Sequence, residues 1–148
     1  MSEVSKPSPP KSISKLKKEA WRWCSLYNRQ KDANYRGYVA CVTCGIVKHW
    51  KEGDAWHFLS GRGNSILFED RGIHFQCKPC NGGFRNQKNS KEDVVENYQN
   101  YMLQRYGESV VKELERLKTK SRTFTEQELE GIIDTYKGRL EKLNNTNL

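Results

Sequence analysis

Two Cys-x-x-Cys knuckles, Cys41-Val42-Thr43-Cys44 and Cys77-Lys78-Pro79-Cys80, constrain this chain more than any other feature. Four thiolates at about 2.3 Å close a tetrahedral shell around one ion and leave no position for water or substrate. The spacing therefore predicts a structural Zn²⁺ that holds the fold and does no chemistry. Closing that shell draws together the ends of a segment containing Asp54, His57, Asn64, Asp70 and His74, with Asn81 directly after it. Disulfide pairing of the knuckles is the alternative. Against it stand an odd count of five cysteines and the lack of an apolar leader. Both point to a reducing, cytoplasmic compartment in which Cys24 stays a free thiol.

At 148 residues and 35% apolar composition the chain can bury only a modest core, which a structural metal would reinforce. No apolar run approaches the roughly 20 residues that cross a bilayer, so a soluble protein with no membrane partner is expected. The formal net charge is +8 and unevenly placed: residues 1–90 carry 16 Lys/Arg against 7 Asp/Glu, and residues 91–148 carry 10 against 11. The positive field coincides with the knuckles and predicts a polyanionic partner, DNA above all. A role in solubility alone is the bland alternative.

Three stretches divide the chain. Residues 1–11, with Pro7, Pro9 and Pro10 among serines and lysines, read as a disordered basic arm. Residues 12–89 open with a helix to about Gln30, capped by Ser12 or Ser14, along which Leu16, Ala20, Trp23 and Tyr27 recur at helical spacing. Gly37 to Trp50 reads as a hairpin around the first knuckle. A turn at Lys51–Asp54 precedes an extended Trp56–Leu59, a loop over Ser60–Asn64, extended Ile73–Phe75 and a short helix after Cys80. Residues 90–148 read as helices, one ended by Gly107 and another opened by the capping box Thr125-Glu126-Gln127-Glu128.

The order of knuckle, histidine, knuckle and asparagine has a mechanical logic. His57 lies on an extended segment after the first knuckle, and Asn81 lies on the helix pinned by the second, so a shared zinc sets them across a small cleft. A neutral His57 could take a proton from water aimed at a phosphodiester. Oxygen ligands such as Asp54 and Asn81 suit Mg²⁺ or Mn²⁺.

Cys41–Cys44, His49-Trp50-Lys51, Asp54–Phe58, Ser60–Asn64 and His74–Asn81 together resemble the phage lambda NinG/Rap recombination family, within the HNH or ββα-metal nucleases. The resemblance runs from about Leu16 to Asn81. It implies an α+β fold: a zinc-stabilised ββα-metal core flanked by an N-terminal helix and C-terminal helices. It also implies a metal-dependent endonuclease for branched DNA or recombination junctions, with His57 as general base and Asn81 as a ligand of the catalytic cation. Asp54 and His74 are assigned to the same cation. Arg62, Arg85 and Lys88 are candidate phosphate contacts, with a solvated basic surface as their alternative. A homodimer is expected, since symmetric cutting of a junction needs two active sites.

Two positions depart from the pattern. Trp56 stands where a metal-binding acid often precedes the base, which leaves Asp54 needing a bulge to reach the ion. Gly72 stands where an asparagine usually orients the histidine, so a backbone carbonyl or His74 must hold the His57 tautomer. The competing readings are a zinc-stabilised junction-binding protein without cleavage and a zinc-dependent protein adaptor.

Overall fold

The computed structural model describes residues 12–60, 63–81 and 91–146. The expected basic arm at 1–11 and the candidate phosphate contacts Arg62, Arg85 and Lys88 lie outside the described residues.

The first helix, α1 (Ile13–Gln30), starts where the sequence places a cap: the Ser12 hydroxyl accepts from Lys15 N at 3.2 Å. Leu16, Ala20, Cys24 and Asn28 recur every four residues and are its buried stripe. A short hairpin follows, β1 (Tyr38–Ala40) pairing antiparallel with β2 (Val47–His49). The knuckle turn between them closes through Gly45, whose φ of +78° is left-handed and favours glycine. His49 caps the turn at 50–52 by accepting from Lys51 N at Nδ1.

The second sheet is β3 (Gly53–His57) paired antiparallel with β4 (Ile73–Cys77), in unbroken register from Gly53↔Cys77 to His57↔Ile73. The turn expected at 51–54 therefore ends two residues earlier, with Gly53 and Asp54 already in the strand. A short helix, α2 (Asn64–Leu67), buries Ile66 and Leu67. β4 is buried at all five positions because α1 covers one face and later helices the other. It runs directly into α3 (Lys78–Asn81), so the second knuckle spans the junction, with Cys77 ending β4 and Cys80 on α3.

The remaining helices are α4 (Lys91–Tyr106), α5 (Glu108–Lys118) and α6 (Glu126–Thr146). Gly107, at φ +87°, ends α4 as expected. Thr125 and Glu128 form the expected reciprocal cap of α6 through Glu128 N→Thr125 Oγ1 at 3.1 Å and Thr125 N→Glu128 Oε1 at 3.4 Å. Leu129 and Ile133 of α6 pack on Leu16 and Ala20 of α1. Each of the leucines and the isoleucine contributes about 1.5–3 kcal/mol by leaving water. The apolar stripe of α6 is thus committed within the chain.

A polar hub locks α1, α6 and the approach to β4 together. Asp70 Oδ1 accepts from Asn28 Nδ2 at 3.0 Å and from the Tyr136 hydroxyl at 2.6 Å, and its Oδ2 accepts from Arg139 at 2.5 Å. Lys31 Nζ donates to the carbonyls of Asp70 and Ile73, each at 2.7 Å. A half-buried stretch of irregular backbone is satisfied in this way by side chains from α1 and its C-cap and from α6.

Candidate metal centre and catalytic cleft

The hairpin and α3 bring all four knuckle sulfurs within 4.8 Å of one another, with Cys44 Sγ and Cys77 Sγ 3.7 Å apart. Ligands at 2.3 Å from a tetrahedral ion lie about 3.8 Å from each other, so this spacing fits a zinc ion. All five cysteines, Cys24 included, are free thiols. Two links join the first knuckle to the strand bearing the second: Val42 N→Phe75 O at 2.9 Å and Cys77 N→Cys41 Sγ at 3.4 Å. Burial opposes ionisation of Cys41, but hydrogen bonds from Thr43 and from backbone amides outweigh it and bring the thiol to about 7. At Cys44, burial together with the neighbouring Cys41 charge pushes the thiol up to about 11. Four thiolates held this close require a cation to offset their repulsion.

Beside this cluster lies a cleft of about 540 Å³ bordered by Trp21 and Ser25 of α1, Asp54–His57 of β3, Gln76, Asn81 and Val94. Four consecutive strand residues can border one cavity only along a strand edge. Among the described residues β3 pairs with β4 alone, so its other edge is available for this.

His57 is buried at 7% exposure, with the Trp21 ring stacked on it at 4.9 Å between centroids. Its Nε2 lies 3.0 Å from the Leu67 carbonyl oxygen. A carbonyl only accepts, so in the neutral ring Nε2 carries the proton and Nδ1 holds the lone pair. Of the two ways left open for holding the tautomer, the backbone carbonyl is the one present, and it comes from α2. Gly72 instead accepts at its own carbonyl from Phe58 N at 2.8 Å.

Asp54 reaches Asn81 without a bulge. Its Oδ2 accepts from Asn81 Nδ2 at 2.7 Å, and its Oδ1 accepts from Lys78 Nζ at 2.8 Å. Alternation along β3 puts Asp54 on the face of Trp56, two residues along the strand, and α3 is placed to meet it there. Partial burial alone would raise the Asp54 carboxyl. The hydrogen bonds from Lys78 and Asn81, with the Lys78 and Arg29 charges, outweigh burial and hold it below the ordinary carboxylate range. Asp54 thus faces two donors, the Lys78 ammonium and the Asn81 amide, and the oxygens of Asp54 and Asn81 are of the hard type that could hold a divalent cation. Gln76 also borders the cleft, and its Oε1 is buried with no hydrogen-bond partner among the described residues.

His74, expected at the same cation, is not brought to it. The Tyr98 hydroxyl donates to Trp56 O at 2.7 Å and so accepts from His74 Nδ1 at 3.0 Å, while the Tyr106 hydroxyl lies 2.9 Å from Nε2. Tyr101 packs edge-on against the ring. Burial, with the Lys31 and Arg105 charges, pushes the imidazole down to about 2. Both nitrogens are occupied, and His74 is a neutral strut between β4 and α4. Sequence reasoning gave no role to Gln76 or Lys78. Gln76 and Lys78 flank Cys77, and that adjacency was the one available signal.

Fold and site define a small α+β protein with two two-stranded sheets, organised around four cysteines that could hold a zinc ion, and no described helix is long and apolar enough to cross a membrane. Residues 5–146 match the family described as Bacteriophage Lambda NinG protein. The chain belongs to this NinG family of lambdoid phage proteins. It is similar to the proteins named "Protein ninG" from Escherichia phage 933W and Enterobacteria phage VT2-Sa, each 25% identical over 130 residues. Those matches cover 87% of this chain and 58% of each relative, so the chain spans under two thirds of their length. No solved structure matches it.

Proposed function

We propose that this protein is a metal-dependent, structure-selective endonuclease that cleaves phosphodiesters in branched DNA such as recombination junctions, acting in the host cytoplasm. The observation that carries the reading is His57, whose tautomer is set by the Leu67 carbonyl and whose ring is held by Trp21 at a cleft shared with Asp54 and Asn81. Nδ1 is the base that accepts a proton from the attacking water. The Leu67 carbonyl stabilises the imidazolium that results, and the stacked indole holds the ring in place. A Mg²⁺ or Mn²⁺ ion held by Asp54 and Asn81 would supply charge compensation at the phosphate. Lys78, 65% exposed beside Asp54, and Arg29 on α1 add positive charge for the DNA backbone.

A zinc ion on Cys41, Cys44, Cys77 and Cys80 would fix α3 against the hairpin and so set the distance between the strand bearing His57 and the helix bearing Asn81. Its shell is closed, and it takes no part in hydrolysis. A homodimer would supply two sites for symmetric cutting. Because α6 spends its apolar stripe on α1, the dimer contact belongs to another surface.

One observation favours a second reading, a zinc-stabilised junction-binding protein without cleavage: both Asp54 oxygens are already engaged, by Lys78 and Asn81. The deciding assay incubates the zinc-loaded protein and its His57→Ala variant with labelled four-way-junction and linear duplex DNA in Mg²⁺, Mn²⁺ or EDTA. Junction cleavage that needs metal and is lost in the variant, with binding retained, is the expected result. Junction binding without cutting in any metal would replace it with the second reading.

A further inference from the structure

Gln76 immediately precedes the second knuckle and is fully buried on β4. Its amide is oriented by hydrogen bonds that begin at the cysteine cluster. Cys41 Sγ lies 3.3 Å from Thr43 Oγ1, and Gln76 Nε2 lies 3.2 Å from the same hydroxyl oxygen. A metal-binding thiolate only accepts, so the Thr43 hydroxyl donates to sulfur and its oxygen accepts from the Gln76 amide. That ordering commits Nε2 to Thr43 and leaves Oε1 without a partner among the described residues.

The unpartnered oxygen belongs to a residue that borders the cleft with Asp54 and Asn81. In the β3–β4 ladder Gln76 sits directly opposite Asp54. Directly paired residues share a face and keep their Cβ atoms about 5 Å apart, which places both side chains within reach of one ion. Of these two facing acceptors, Asp54 is held by Lys78 and Asn81, whereas the buried Gln76 oxygen lacks the donor or cation that buried acceptors ordinarily have.

We propose that Gln76 Oε1 is a third protein ligand, beside Asp54 and Asn81, of the divalent cation in this cleft. The inference deepens the nuclease reading and rests on its cation site. One carboxylate and two amide oxygens make a hard donor set suited to Mg²⁺ or Mn²⁺ and poor for thiophilic metals. Thr43 then serves two metals at once: its hydroxyl proton goes to a zinc-binding thiolate, and its lone pair fixes the amide that ligates the second ion.

The test is Mn²⁺ binding to the zinc-loaded full chain, read from the electron paramagnetic resonance signal of the free aqueous ion, with zinc content measured in parallel. Asp54→Asn reports on the site, and Gln76→Leu and Gln76→Glu report on the ligand. Wild type should bind Mn²⁺. Asp54→Asn and Gln76→Leu should each weaken binding about tenfold or more while zinc is retained, and Gln76→Glu should tighten it. If Asp54→Asn weakens binding and both Gln76 variants match wild type, Gln76 is no ligand and the cation reading stands without it. If wild type binds no Mn²⁺, or Asp54→Asn has no effect, the cation reading fails and takes the inference with it. Should Gln76→Leu lose zinc, Gln76→Glu decides: tighter binding supports the ligand, and equal or weaker binding overturns it.

Discussion

Tyr136→Phe removes one hydroxyl from α6 and should loosen a site to which α6 contributes no residue. The Tyr136 side chain is 3% exposed, and its hydroxyl donates at 2.6 Å to Asp70 Oδ1, a short contact to an ionised acceptor. A buried hydrogen bond to a charged group contributes about 1.5–3 kcal/mol, and Phe keeps the ring that packs against Cys24, Ala55 and Ile73. Asn28 and Arg139 still hold the carboxylate, and Arg139 is 44% exposed and screened, so neither replaces the lost donor in full. The expected cost is therefore about 2 kcal/mol, or a fall in Tm of about 4–8 °C for a chain of this size. Denaturant unfolding of the zinc-loaded protein, followed by tryptophan fluorescence, measures it. In an Asp70→Asn background the acceptor is neutral, and the same substitution should cost only about 0.5–1.5 kcal/mol. A cost below about 0.5 kcal/mol in the wild-type background, or one unchanged by Asp70→Asn, would refute the argument that this ionised contact ties α6 to the cleft.

Other perturbations separate structural from chemical roles. A Cβ at Gly53 would sit 2.5 Å from the Gln76 carbonyl oxygen and 2.4 Å from the Phe75 ring, whereas at Gly72 its nearest neighbour is Leu114 at 3.6 Å. Gly53→Ala should thus cost about 3 kcal/mol or more and Gly72→Ala should be neutral within about 1 kcal/mol, both read by thermal unfolding. A thiol titration with an aromatic disulfide reagent at pH 8 should find four reactive cysteines once a chelator has removed zinc. Cys24, fully buried and pushed up by that burial to about 12, should stay silent until denaturant is added. Trp21→Ala should lower cleavage at least about tenfold through loss of His57 positioning while junction affinity changes little, checked by parallel cleavage and filter-binding assays.

Features with a local signature were the legible ones. The Ser12 cap, the Gly45 and Gly107 turns, the Thr125–Glu128 box and the clustering of four cysteines each follow from residues a few positions apart or from one strong motif. The partner that sets the His57 tautomer was not legible, because a backbone carbonyl ten residues away carries no side-chain identity in the sequence. His74 was misread for a related reason. Its fate depends on Tyr98 and Tyr106, which follow it by 24 and 32 residues and read as ordinary positions on a helix face. Asp54 looked one face out of place only while Trp56 was taken as the reference position. The start of α3 after Cys77 places Asn81 at Asp54, a matter of helix geometry that spacing alone does not give.

The bonds from α6 to Asp70 and Phe68 span 66 to 69 residues of chain. The residues proposed for chemistry all lie between Trp21 and Asn81, yet the frame that steadies them closes only after Glu126–Thr146 has been synthesised. During translation, therefore, every reactive group emerges well before the helix that braces them. A nascent chain should carry its chemistry unassembled until late in synthesis, and a truncation that spares every site residue should still cost the site its order.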